Sequence, residues 1–367
     1  MSVLIFIIVL VVLIVVHELG HFVVAKLSGM RVDEFGLGYP PKIVGKKYKG
    51  TEYSLNWLPF GGFVKIHGED LEEGRAKTST GDAFTDKPRH IQALVLVAGI
   101  VMNLLFAWLL IYVTLVMGAP KALSLEEAKT TPNAVLTVTQ VLPDSPADKA
   151  GLKAGDAIVS AAGPHGNFNE TTPEAFTAYV GADVEGTPIS FRVMRSGEER
   201  LFTASPEAGV VKDEPNRKII GVTVATVATV STPPFEAIGE SLMTTANLTV
   251  RTGEGLLAFF GSVFSLSADL SQVSGPVGIA GVVGDASQSG LASLLTITAL
   301  ISINLALINI LPIPALDGGR LFFVLIESVT RKPIWPKLAG TLNVLGFGFL
   351  VLLMVAITVS DIFKIAA

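Results

Sequence analysis

A chain of 367 residues with 50% hydrophobic residues, 16% charged residues and a mean hydropathy of +0.58 reads as an integral membrane protein carrying some soluble mass. A mild net charge of −5, with no basic stripe interleaved with aromatics, argues against nucleic acid as a partner. With no cysteine, disulfides and thiolate metal sites are excluded, so any transition metal must be held by histidine and carboxylate.

The first element runs over Ser2–Leu27 and is almost wholly aliphatic. Residues 1–16 carry no Lys or Arg and no small-x-small cleavage site follows, so the segment reads as a retained span rather than a signal peptide. Inside it stands His17-Glu18-Leu19-Gly20-His21. On a helix, two histidines at i and i+4 share one face and can share a zinc ion, and the adjacent Glu18 can act as general base toward water. Placing an ionised carboxylate near mid-bilayer costs about 2.5–3.5 kcal/mol, so three polar side chains in one apolar turn need partners or a task. Satisfied core histidines would be the plainer explanation.

Three further windows are long enough to span, at Ile91–Met117, Leu291–Leu311 and Leu338–Val359. The loop from Ser28 to His90 holds ten Lys/Arg and the connection from Pro312 to Lys337 holds four, which by the positive-inside rule makes both cytoplasmic and puts both termini outside. Within the first of these loops, Arg31–Gly38 and Glu52–Ile66 alternate as strands with a tight turn. A free strand edge near Gly61 and Gly62 would bind an unwound substrate by main-chain pairing; an ordinary cytoplasmic hairpin is the alternative. His67 on the following turn is expected to have no catalytic part.

The outer segment between the second and third spans carries a β-rich insert. Ala134–Val141 alternates as a strand, a short helix then ends at Gly151, and Pro173–Val180 reads as a second helix. Thr187–Arg195 and Lys218–Val224 supply further strands, with Ser196-Gly197-Glu198 as a hairpin turn. His165 reads as an exposed loop residue. Phe235–Leu270 then shows apolar residues at helical spacing, interrupted by too many polar ones for a span, and is expected to form amphipathic helices on the outer membrane surface or a spacer packed on the insert.

A catalytic zinc with two histidines lacks one protein ligand, to be supplied by His, Asp or Glu from another span. In Asn309-Ile310-Leu311-Pro312-Ile313-Pro314-Ala315-Leu316-Asp317-Gly318 an apolar helix is broken by two prolines and then presents Asp317. Broken helix at membrane depth is tolerated where it lines a cavity, which a water-using hydrolase requires.

Together these motifs resemble the site-2 proteases, intramembrane zinc metalloproteases of the bacterial regulator-of-sigma-E type. His17 to His21 matches the family's first motif and Asn309 to Gly318 its N-x-x-P-x-P-x-L-D-G motif; Ser274–Ile279 and Leu58–Lys65 are also similar. The run from Pro146 to Ile158 resembles bacterial PDZ domains, present here as one copy. The implied fold is a multi-pass α-helical membrane protein of about four transmembrane helices with a membrane-associated β-hairpin, plus an inserted β-rich PDZ domain. Its divisions are residues 1–120, 126–226 (PDZ), 232–290 (amphipathic linker) and 291–367.

The resemblance implies His17, His21 and Asp317 as zinc ligands, Glu18 as catalytic acid/base, and Asn309 as a substrate-binding residue. Gly99 and Asn103 resemble the family's second-span pair, although Ile100 stands where the family often has proline. It further implies Zn2+ as cofactor and a multi-pass place in a bacterial inner (plasma) membrane, with the active site toward the cytoplasm. Expected substrates are single-span proteins already trimmed on the outer side, such as anti-sigma-factor-like regulators or remnant signal peptides; nucleic acid is not expected. A non-catalytic PDZ-containing scaffold is the alternative, and a zinc transporter would need more intramembrane acidic or His residues than these spans offer.

Overall fold

The computed structural model describes residues 2–366, apart from 70–80, 132, 183–186, 196, 211–216, 266 and 268–272. Arg75 and Lys77, two of the ten basic residues counted between Ser28 and His90, lie outside the described residues, as do Ser196 and Leu270. In chain order the elements are α1 (Ser2–Leu27), β1 (Val32–Tyr48), β2 (Thr51–Ile66), α2 (Arg89–Met117), β3 (Ala119–Ala122), α3 (Leu125–Thr130), β4 (Val135–Val141), α4 (Pro146–Lys149), β5 (Ala157–Gly163), β6 (Gly166–Phe168), α5 (Pro173–Ala182), β7 (Ile189–Arg195), β8 (Glu198–Ala204), β9 (Val222–Val230), α6 (Pro234–Phe264), α7 (Pro276–Gln288), α8 (Leu291–Ile310), α9 (Asp317–Thr330) and α10 (Pro336–Ala366). They fall into two compact units: Met1–Thr114 with Pro234–Ala367, and Leu115–Pro233.

The first unit is helical. Among the described residues, α1, α2, α8 and α10 are long and apolar enough to cross a membrane. Between helices in lipid, close backbone approach replaces hydrophobic exclusion as the source of packing energy. Gly20 of α1 provides it, because a side chain there would collide with the Ala98 carbonyl of α2. Two apolar clusters flank the turn that bears the histidines. One gathers Val9 and Leu13 of α1 with Val283 of α7, Phe106 of α2 and Ile301 of α8. The other gathers Ala25 of α1 with Val32, Ile66, Val95 and Val324.

Residues read as a linker after the insert form α6 and α7. α6 is one continuous helix rather than several. α7 is capped across the fold: the buried Asp361 carboxylate of α10 accepts from Gly278 N–H at 2.8 Å, and a Cβ at Gly275 or Gly278 would crowd that carboxylate.

β1 and β2 make more than a simple hairpin. Val32 pairs with Ile66 and Leu37 with Gly62, Glu34–Tyr39 also runs beside Glu52–Leu58, and Lys42–Tyr48 folds back on Thr51–Asn56. The result is a four-stranded ribbon whose Gly62–Ile66 edge packs on α1. The expected strand end at Gly38 is corrected to Tyr48: the chain passes Pro40-Pro41 and continues as exposed edge strand, where a missing N–H is tolerated.

The second unit is a sheet in the order β3-β9-β4-β5-β7-β8, with β6 beside β5. Alternation fills its core: Ile189, Phe191 and Val193 of β7 are wholly buried, while Arg192 and Met194 face out. Leu136, Val138, Ile158 and Phe176 join them. The final strand begins at Val222, later than the expected Lys218, because Ile219 pairs with Glu207 instead. α4 starts at Pro146 with Ser145 as N-cap and stops before Gly151, whose φ of 86° suits glycine.

The turn before β5 is locked by Asp156. Its fully buried carboxylate accepts from Arg195 Nε at 2.5 Å, from Arg195 Nη2 at 2.7 Å and from the Lys153 amide at 2.9 Å. The Arg195 guanidinium also lies over the Phe202 ring. Removing Asp156 leaves the part-buried Arg195 guanidinium and the Lys153 amide without their acceptor, which costs about 1–3 kcal/mol. An Asp156→Ala variant is therefore expected to lose most amide-exchange protection at Val138 and Phe191, while protection in α1 and α2 stays unchanged.

Candidate metal centre

Three side chains far apart in the chain meet in the helical unit. His17 Nε2 lies 2.9 Å from Asp317 Oδ2, His21 Nε2 lies 3.1 Å from the same oxygen, and the two Nε2 atoms are 3.2 Å apart. Both histidines are 7% exposed. Their helical spacing puts them on the same face of α1, and Gly99 of α2 makes room: a Cβ there would collide with the His21 ring and approach His17.

Asp317 reaches this point through a compressed turn. α8 ends at Ile310, the chain turns through Leu311–Leu316 with Ala315 at a φ of 79°, and α9 starts at Asp317. Gly318 and Gly319 are obligatory, since side chains there would strike the Ile310, Leu311 and Ile313 carbonyls. α10 holds the turn from outside: Ala315 N–H donates to Asn343 Oδ1 at 3.3 Å, and Gly346 leaves space for the Pro314 carbonyl. Arg320, one turn into α9, donates to the Glu69 carboxylate beyond the ribbon at 2.5 Å.

The donor set suits a cation. The Val95 carbonyl accepts from His21 Nδ1 at 2.8 Å, so the neutral ring presents its Nε2 lone pair toward the other two donors. A nitrogen lone pair and a carboxylate oxygen facing each other at contact distance need positive charge between them. Two N and one O donor at these separations match one face of a tetrahedral zinc site, whose ligand atoms stand roughly 3.3 Å apart. All three donors lie within 4.8 Å of one another.

His17 and Asp317 open onto a cavity of about 400 Å³. Glu18 lines it from α1, Asn309 from α8, and Tyr39, Gly61 and Gly62 from the ribbon. Gly62 is buried against α1, where a Cβ would lie 3.3 Å from Ile14 Cγ2 and 3.7 Å from Glu18 Cγ. The structure thus brings together every residue singled out in the sequence as ligand, base or substrate contact. His67 is elsewhere, against Arg31 and Asp33, and His165 is exposed in the other unit. Sequence reasoning missed Tyr39, hidden in a stretch that reads as loop, and Asn343, for which a lone amide in an apolar span was the available signal.

Known proteins resemble this chain over most of its length. The model of Peptidase family M50 matches residues 5–353. A Clostridium perfringens homologue is 35% identical over 350 residues, covering 95% of each chain. The zinc metalloprotease RasP of Geobacillus kaustophilus is 30% identical over 99% of this chain and 98% of its own. The chloroplastic membrane metalloprotease ARASP of Arabidopsis thaliana is 33% identical over 88% of this chain and 69% of its own. With a family model matched over nearly its whole length, the chain belongs to peptidase family M50.

Proposed function

We propose that this protein is a zinc endopeptidase that cuts transmembrane segments of single-span membrane proteins. The observation that carries the reading is the meeting of His17, His21 and Asp317 beside Glu18, in one cavity among helices long enough to cross a membrane. His17, His21 and Asp317 would hold the ion, which supplies Lewis acidity to a substrate carbonyl and acidifies water. Glu18 takes the proton of the attacking water as its oxygen bonds to the scissile carbon. It then delivers that proton to the amine as the peptide C–N bond breaks.

A helical substrate has its backbone amides bonded internally, so it must unwind before a carbonyl can be attacked. The ribbon edge Gly62–Ile66 supports a route: it pairs with β1 on one side and lies on α1 next to Glu18, leaving strand addition to secure the unwound segment. Asn309 would orient that segment from the opposite wall. The excess of Lys and Arg in the two loops flanking the site supports a cytoplasmic-side active site in a bacterial inner membrane, with the β-rich unit and both termini outside.

We further read the β-rich unit as a single PDZ domain. Supporting this, α5 and the start of β9 border a groove of about 310 Å³, lined by apolar Phe176, Val180, Ile220 and Val222. Such a module would admit substrates whose outer part has already been removed, as expected of regulated intramembrane proteolysis of anti-sigma-factor-like regulators or of remnant signal peptides.

This reading is tested on the purified full chain in detergent. Glu18→Gln should keep bound zinc and lose at least about 100-fold in turnover of a membrane-embedded substrate. His21→Ala and Asp317→Ala should lose both, and chelation should abolish wild-type activity until zinc is restored; cleavage by Glu18→Gln at the wild-type rate would refute the catalytic assignment. Gly62→Leu, which pushes a side chain toward Ile14 and Glu18, should lower turnover while zinc content stays equal to wild type. Excising Ala119–Val230 should broaden substrate choice without stopping cleavage, scored by fragment mass spectrometry.

A further inference from the structure

The second helix, α2, touches both zinc-candidate histidines on the ring atom that faces away from Asp317. For His21 that contact is the Val95 carbonyl, which can only accept, so Nδ1 carries the hydrogen. For His17 it is the side-chain amide of Asn103, whose Nδ2 stands 3.1 Å from His17 Nδ1. Asn103 is wholly buried and its Oδ1 has no hydrogen-bond partner. Its backbone is pinned as well, because the Ser302 hydroxyl of α8 donates to the Asn103 carbonyl at 2.8 Å.

The two ends of a carboxamide are nearly the same size, and a half-turn about the last side-chain bond exchanges them. Either orientation leaves one amide atom unpartnered, so the choice is set by what the His17 ring must do. With Nδ2 toward the ring, Nδ1 accepts and the ring hydrogen sits on Nε2, pointed at Asp317. With Oδ1 toward the ring, Nδ1 donates and the Nε2 lone pair faces the same point as that of His21. Only the second orientation leaves His17 able to bind a cation, since a neutral imidazole has one lone pair to give.

We propose that Asn103 is a positioning residue for the metal centre: its Oδ1 accepts the His17 Nδ1 hydrogen and holds that ring in the tautomer that turns Nε2 toward Asp317. α2 would then set both histidines, one through a backbone carbonyl and one through a side chain. This rests on the zinc reading above and extends it to a residue that touches neither ion nor substrate.

Zinc affinity of the purified full chain, read by competition with a chelator of known strength, tests the proposal, alongside the melting temperature of the metal-free form. Asn103→Leu, which can neither accept nor donate, should bind zinc 10–100-fold more weakly with the metal-free melting temperature unchanged. Asn103→Asp, which can only accept, should bind zinc at least as tightly as wild type, and it carries the test if the Leu variant does not fold. Wild-type affinity in Asn103→Leu, or a loss in Asn103→Asp equal to that in Asn103→Leu, overturns the proposal. His17→Ala separates the two levels: if it binds zinc as wild type does, the zinc assignment itself is wrong and this inference falls with it.

Discussion

Two imidazole nitrogens and a carboxylate oxygen converge in the apolar interior of a helical unit, and the rest of the unit is arranged so that they can. With neither a metal ion nor a proton between them, these atoms would pair lone pairs with lone pairs in a medium that penalises unmatched charge. The surrounding small residues answer that requirement. Gly20 and Gly99 bring α1 and α2 close enough for the second helix to hold the rings, and Gly318 and Gly319 let the turn after α8 fold tightly on itself. Each is a place where a side chain would fill the volume that the donors or their supports occupy.

The site also explains why strands appear beside membrane-length helices. Open strand edges are excluded from lipid because their amides go unpaired, unless they lie against protein or a cavity. Here the Gly62–Ile66 edge lies against α1, with Gly61 and Gly62 shielded from solvent.

Much of this was legible in the residues, because intramembrane polarity is expensive and therefore conspicuous. Three of the four long apolar helices lie within two residues of the windows read from hydropathy. The fourth continues to Ala366, past the expected Val359, since the polar residues that seemed to end it include Asp361, which is buried capping α7. The extension of β1 beyond Pro40-Pro41 was not legible, because prolines, lysines and glycines in succession read as loop while the exposed edge tolerates all three. Long-range supports were hidden for a different reason. The contacts of Asn343 with Ala315, and of Arg320 with Glu69, depend on which helices become neighbours, and periodicity carries no record of that.

The tie between α10 and the Pro314–Ala315 turn has a mechanical corollary. Asn343 and Gly346 meet the peptide units just ahead of Asp317, so displacing the last helix would disturb the turn that carries that side chain. Swinging that helix aside to admit a polypeptide from the bilayer would pull one corner off the coordination triangle. The wall formed by the ribbon carries no donor, and a chain entering there would leave all three corners standing.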